Sequence, residues 1–267
     1  MKLSIITINK DNAEGLQKTL DSVACQTWHD FEHIIVDGAS ADSSVDIIRN
    51  YAADVHPYLV KWLSEPDTGI YNAMNKGIRM ANGEYCLFLN SGDYLAKANV
   101  LHLVFGYIIT ADLIAGYVIE EKSGRMIKPV KELSPRFLYK QGLPHQALFI
   151  KRELFHFIGE YDERFMVLGD HDFNMRAAIS SVSYRQLDVL IAYVEPNGLS
   201  NTAFEVMKQE SEYLENKNFC KGILTDYSYF LNHKELGHPS IEWIVKSNIP
   251  FKILKFIYKL FVQKYPQ

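Results

Sequence analysis

The side chains able to do chemistry collect where apolar runs stop. One run ends in Thr7-Ile8-Asn9, a second in Asp37-Gly38-Ala39-Ser40-Ala41-Asp42, and a later one in Asn90-Ser91-Gly92-Asp93. Acidic run ends beside a polar Asn9 suit a ligand that carries phosphate, because a hard cation such as Mg2+ or Mn2+ shares carboxylate and phosphate oxygens and keeps several waters. Each aspartate alone is equally a turn former or helix cap. A second cluster, Gly169-Asp170-His171-Asp172-Phe173-Asn174-Met175-Arg176, opens a predicted helix with Asp170 at its N-terminus, where the dipole favours a carboxylate. Asp172 and Arg176 have the i,i+4 spacing of a helical ion pair. His145 and His171 lack the partner histidine or thiolate that zinc requires.

Glycine patterns narrow the ligand chemistry. No G-x-G-x-x-G follows the first run, where Asn9-Lys10-Asp11-Asn12 stands, and no G-x-x-x-x-G-K-[ST] occurs in the chain. That argues against a dinucleotide oxidoreductase, and leaves phosphate to side chains and to a cation on Asp93.

These groups need a scaffold that brings run ends together. Leu3–Ile8, Phe31–Val36, Leu59–Leu63 and Tyr85–Leu89 are short and rich in β-branched and aromatic residues, which predicts buried strands. Asp11 with Glu14 has capping-box spacing before a helix whose Leu16, Leu20 and Val23 share a face. Ser43 or Asp42 caps a second helix, and Asp67 a third that runs to Asn82-Gly83. This alternation predicts an α/β fold with a doubly wound, mostly parallel sheet, which holds ligands beyond the carboxyl ends of its strands. From Leu113 the rhythm loosens. Leu113–Val118 and Ala147–Ile150 are further strands, another ends near Tyr193, and Thr202 with Glu205 opens a helix to about Lys217.

A chain of 267 residues suits one α/β domain with an appendage. The net charge of -4 offers nucleic acid no global attraction, so no such partner is expected. Cys25, Cys86 and Cys220 lie far apart, which suits a reducing compartment and excludes a disulfide framework. The N-terminal apolar run is too short for a signal peptide and no stretch is long enough to span a bilayer, so a cytoplasmic protein is expected.

At Ser4–Asn9, Ile35–Ser40, Ser64–Ile78, Gly83–Asp93, Pro144-His145-Gln146 and Asp170-x-Asp172 the chain resembles the inverting glycosyltransferases of family 2. The resemblance covers about residues 1–200 and implies the A-type glycosyltransferase fold, Rossmann-like, with a mostly parallel central sheet flanked by helices. It implies a catalytic domain over 1–200, with a nucleotide-binding half to about 112 and an acceptor-side half from 113, and leaves 201–267 as a helical C-terminal extension. Thr7, Asn9 and Asp37 would line the nucleotide pocket, with Asp37 accepting from the base. Asp67 would lie nearby, Asn75 and Lys76 close to the sugar diphosphate, and Ser91 and Gly92 along the nucleotide-sugar. Asp93 would bind Mg2+ or Mn2+, and Asp170 would be the catalytic base. Asp172 is the fallback base or orients Arg176. His145 and Gln146 line the acceptor or diphosphate side, or begin a packed strand.

The sequence departs from the family at Asn90 and Gly92, which stand where acids are usual, and at Asn72, where aspartate is common. The implied reaction moves a sugar from a nucleoside-diphosphate sugar, a UDP-sugar foremost, to a saccharide or lipid-linked saccharide in bacterial surface-polysaccharide synthesis. A degenerate binding subunit of a polysaccharide assembly complex is the alternative. A sugar-nucleotidyltransferase would carry a glycine- and arginine-rich loop where Asn9-Lys10-Asp11-Asn12 stands. Residues 251–267 contain no acid, and Lys252, Lys255, Lys259 and Gln263 form a polar stripe on an otherwise apolar helix. Such a helix packs on the domain, forms a dimer, or lies on the inner face of the cell membrane as a peripheral contact.

Overall fold

A computed structural model of the protein describes residues 1–54, 56–106, 110–138, 142–180, 182–195 and 203–218. In chain order these form β1 (Leu3–Asn9), α1 (Ala13–Ala24), β2 (Phe31–Asp37), α2 (Ser44–Ala53), β3 (Leu59–Ser64), α3 (Ile70–Met80), β4 (Tyr85–Phe88), β5 (Tyr94–Leu95) and α4 (Val100–Phe105). Then follow β6 (Leu113–Glu120), β7 (Met126–Ile127), α5 (Pro135–Leu138), a 3-10 turn (His145–Ala147), β8 (Leu148–Lys151), α6 (Glu153–Phe157), α7 (Gly169–Ile179), β9 (Tyr184–Val194) and α8 (Phe204–Asn218).

One sheet runs β3-β2-β1-β4-β8-β6-β9-β5, with β7 on β6. Its first four strands are parallel. β1 and β2 pair without a break from Leu3↔Phe31 to Asn9↔Asp37, and β2 ends against β3 at Asp37↔Ser64. The second half is mixed, with β8 antiparallel to both β4 and β6, β9 parallel to β6 and β5 antiparallel to β9. A ladder of β-branched strands buried on both faces needs helices on both sides. Leu3, Ile5, Tyr85 and Leu87 accordingly pack with α4, while Ile6, Ile34, Val36 and Phe88 pack with α3 and α7.

The helix starts differ from those expected. Asn12, not Asp11, caps α1, its side chain accepting from the Gly15 N–H, while Asp11 takes a left-handed backbone (φ 49°) and accepts from Ala41 N. Asp11 instead turns back to hold the loop after β2. Gly69 precedes α3, and Asp67 lies outside the helix, accepting from Gly69 N at 3.1 Å. Thr202 and residues 251–267 lie outside the described residues. Among the described residues no helix is long and apolar enough to cross a membrane.

Candidate active site

Register builds the first part of the site. Because β1, β2 and β3 end in step, Asn9, Asp37 and Ser64 stand in a row across three strand ends. Asp37 is fully buried and accepts from Asn9 Nδ2 (2.8 Å), Ser64 Oγ (2.7 Å), Ser40 N (3.0 Å) and Ser40 Oγ (2.5 Å). Burial works against its charge, but these donors outweigh it and hold the carboxyl below the usual range. Ala39, in this loop, also has a left-handed backbone (φ 57°), a conformation that non-glycine residues adopt where surrounding structure enforces it. Both Asp37 oxygens are engaged by donors of its own chain. Thr7 is buried and bonded at 2.9 Å to His33.

The second part is the turn after β4. Thr19 of α1 clamps it, accepting from Gly92 N (3.0 Å) and donating to Asp93 O (2.7 Å), while Ser91 N reaches Ile8 O. Gly92 has φ 102°, which only glycine adopts readily, and a Cβ there would meet the Glu195 carboxylate. Asp93 is 6% exposed, and its oxygens accept from Gln146 Nε2 (2.9 Å) and Glu195 N (3.0 Å). Burial raises its pKa above the usual carboxylate range.

The third part lies at the start of α7. Asp170 Oδ2 is 3.2 Å from His145 Nδ1, and His145 Nε2 is 3.2 Å from Asn90 Nδ2. Asp170 Oδ1 accepts from His171 N (2.8 Å) and shares the Tyr71 hydroxyl proton with Val167 O. Gly169 makes room for that contact, because a Cβ there would strike the Tyr71 ring at 2.8 Å. Burial opposes the charge on Asp170, yet the bond and field of His145 hold it below the usual range. His145 is raised in turn, burial being outweighed by Asp170 and Asp93.

The structure thus brings Asp170, His145, Gln146, Asn90 and Asp93 together. It does not bring Asp172 or Arg176, which form the i,i+4 ion pair their spacing allows. Two residues along a helix turn a side chain away, so Asp172 is fully buried between Arg176 (2.8 Å) and Lys217 of α8 (2.8 Å). Arg176 spends its other donors on the carbonyls of Ile158, Gly159 and Glu160. Asn75 is buried and ties α3 to Tyr161 and Glu163, and Lys76 binds Pro66 O and Glu65. Asp67 sits against Gly38, beside the Asp37 loop. Three partners escaped sequence reasoning. Tyr71 and Glu195 reach the site across long separations that leave no local pattern, and Glu210 of α8 accepts from Met166, Val167 and Leu168 N at 2.5 to 3.0 Å.

Among the described residues no three His, Cys, Asp or Glu side chains are placed to enclose a metal, so no closed cage is built. The donor chemistry fits an open site instead. Each Asp93 oxygen accepts one N–H and keeps a lone pair, and Mg2+ or Mn2+ takes its other ligands from diphosphate and water.

A mostly parallel sheet with mixed outer strands and flanking helices is the A-type glycosyltransferase fold of the solved structures it resembles. The family described as Glycosyl transferase family 2 matches residues 4–160, and the chain belongs to it. A PGL/p-HBAD biosynthesis glycosyltransferase of Mycobacterium tuberculosis is 38% identical over 204 residues, 74% of this chain and 79% of that protein. An uncharacterized glycosyltransferase of the same species is 35% identical over 184 residues, 66% of this chain and 69% of that one. Among solved structures, S. aureus TarS in complex with UDP-GlcNAc shares the fold with a TM-score of 0.64 at 20% identity, over 93% of this chain and 77% of that one. The mannosyltransferase PcManGT from Pyrobaculum calidifontis, in complex with GDP-Man and Mn2+, has a TM-score of 0.64 at 14% identity, over 97% and 81%.

Proposed function

We propose that this glycosyltransferase moves a sugar from a nucleoside-diphosphate sugar, a UDP-sugar foremost, to an acceptor hydroxyl with inversion. The acceptor oxygen bonds to the anomeric carbon as the bond from that carbon to diphosphate breaks. The electron pair leaves with the nucleoside diphosphate, and the hydroxyl proton passes to Asp170. A divalent ion on Asp93 supplies positive charge for the leaving diphosphate. One observation carries the reading: a single imidazole, His145, bonds both the exposed-edge carboxylate Asp170 and the turn that holds Asp93. Asp170 keeps 22% of its side chain exposed, so an acceptor can reach it, whereas Asp172 has none.

The acceptor is a saccharide or lipid-linked saccharide of a bacterial surface polysaccharide such as capsule, exopolysaccharide or O-antigen. The similarity to a glycosyltransferase of PGL/p-HBAD biosynthesis supports a biosynthetic role. The enzyme works in the cytoplasm, with residues 251–267 meeting the inner face of the membrane, and 1–200 and 201–267 act as catalytic domain and extension. A binding subunit without turnover is the second reading, favoured by Asn90 and Gly92 in place of acids.

Nucleoside-diphosphate sugars with Mn2+ and a panel of saccharide acceptors test this, with the anomeric configuration of the product read by NMR. An inverted linkage is expected. Nucleotide binding without transfer or slow donor hydrolysis supports the subunit, and a retained configuration overturns the displacement. Asp93→Ala is expected to abolish the Mn2+ enhancement of donor binding, while unchanged metal dependence moves the ion elsewhere.

A further inference from the structure

Gly92 stands where an acid is usual in the family, and the space that its side chain would take is filled from another strand. β5 and β9 pair antiparallel through Tyr94↔Tyr193 and Leu95↔Ala192, and the two tyrosine rings stack at 5.2 Å. This register brings Glu195, the residue after β9, back beside the turn that precedes β5. Its backbone N–H donates to Asp93 Oδ1 (3.0 Å), and its carboxylate lies against Gly92, with Oε2 where the Cβ of a side chain at 92 would stand. An acid absent from the turn's own chain is thus present in its space. Asp93 is 6% exposed, and both of its donors are neutral N–H groups, of Gln146 and of Glu195 itself. Burial is the largest cause that raises Asp93, and the charge of Glu195 raises it further, against the field of His145. Glu195 itself is exposed, so its carboxylate is open to a ligand. A cation shared by the two carboxylates turns their repulsion into attraction, and a hard divalent ion takes oxygen ligands of this kind.

We propose that Glu195 is the second carboxylate of the divalent-cation site, sharing Mg2+ or Mn2+ with Asp93 and standing in for the acid that the turn lacks at 92. The proposal rests on the reading of Asp93 as the metal position. It gives Glu195 an effect whose sign depends on the metal. With the cation bound, Glu195 adds an anionic ligand and strengthens the site. Without it, Glu195 is a bare negative charge beside Asp93 and opposes the approach of a diphosphate. A residue that only shaped the turn would act alike in both conditions.

The test uses the full chain, with UDP binding measured by calorimetry in Mn2+ and in EDTA, and with GDP in its place if UDP does not bind. Mn2+ held by the nucleotide complex is read from the loss of the free ion's EPR signal. Glu195→Gln keeps the size of the side chain and removes its charge. It is expected to weaken Mn2+ binding to the nucleotide complex by about 10-fold or more, while nucleotide affinity in EDTA stays equal or rises up to about threefold. Glu195→Asp keeps the charge on a shorter stem and is expected to fall between wild type and Glu195→Gln in Mn2+ affinity. The melting temperature without ligand should match wild type in both, because the side chain is exposed. Should Glu195→Gln not fold, Glu195→Asp against wild type carries the same contrast. Wild-type Mn2+ affinity in Glu195→Gln, or an equal loss of nucleotide affinity in Mn2+ and in EDTA, overturns the proposal. If Asp93→Asn also keeps wild-type Mn2+ affinity, or if Mn2+ strengthens neither nucleotide in wild type, the reading of Asp93 has failed with it. If Asp93→Asn loses Mn2+ and Glu195→Gln does not, only the role of Glu195 has failed.

Discussion

The two ends of this sheet are built in different ways. At the first, the row Asn9–Asp37–Ser64 follows from strands that are neighbours in the chain and pair in register, so each group is set by its own run of residues. At the second, Asp170 is held by Tyr71, 99 residues away, by His145, 25 away, and by the loop that Glu210 clamps from α8. The first arrangement makes a rigid floor whose carboxylate is spent within the protein. The second leaves a carboxylate partly open and sets its state through distant partners. Binding and proton transfer should therefore separate cleanly when either end is altered.

Asp170→Asn gives the sharpest separation. Transfer should fall by about two to four orders of magnitude or more, as when a general base is removed, while UDP affinity stays within about threefold. Asp172→Asn should instead destabilise the protein by breaking a buried pair with Arg176 and Lys217, seen as a lower melting temperature. Near-normal turnover in Asp170→Asn beside an inactive, well-folded Asp172→Asn would reverse the assignment.

Glu210→Ala probes the clamp. Three backbone N–H groups before α7 lose a charged acceptor, so kcat should fall about 10-fold and stability by about 1–3 kcal/mol, with UDP affinity unchanged. A loss confined to UDP affinity would break the division between the two ends.

The smallest effect belongs to the first end and to pH. His33 lies wholly buried between Thr7 and Tyr51, and burial, with repulsion from His56, pushes its pKa down to about 3. Unfolded, it titrates near 6.5. Below that pH the unfolded chain takes up a proton that the folded chain refuses. Stability from this group is thus complete above about 6.5 and drops by roughly 1.4 kcal/mol per pH unit as pH falls toward about 3. Urea titrations at pH 7 and pH 5 should show a smaller drop for His33→Gln than for wild type. Equal drops would mean that His33 titrates alike in both states.

The same contrast explains what could be read from residues alone. All four strands of the parallel half lie within a residue of their expected ends. β3, expected to be buried, is an edge strand with Leu59 half exposed, while β1, β2 and β4 are buried on both faces. That double burial also hid Thr7, since nothing in such a run says which face meets a ligand. In the second half, β5 and β7 are two residues long and carry no periodic signal. The helix dipole argument placed Asp170 at the start of α7, where the structure has it, but Tyr71 and Glu210 have no spacing relation to it. Asp172 with Arg176 read as an ion pair from i,i+4 spacing, and Lys217 as its third member did not.

The clamp from Glu210 also has a consequence for the order in which the protein is made. A nascent chain that has reached residue 200 already contains Asp93, His145 and Asp170, and its parallel strands can pair as they leave the ribosome. The acceptor for Met166, Val167 and Leu168 arrives only with α8. Synthesis thus delivers the strand-end row Asn9–Asp37–Ser64 early and the clamp on the loop before α7 late.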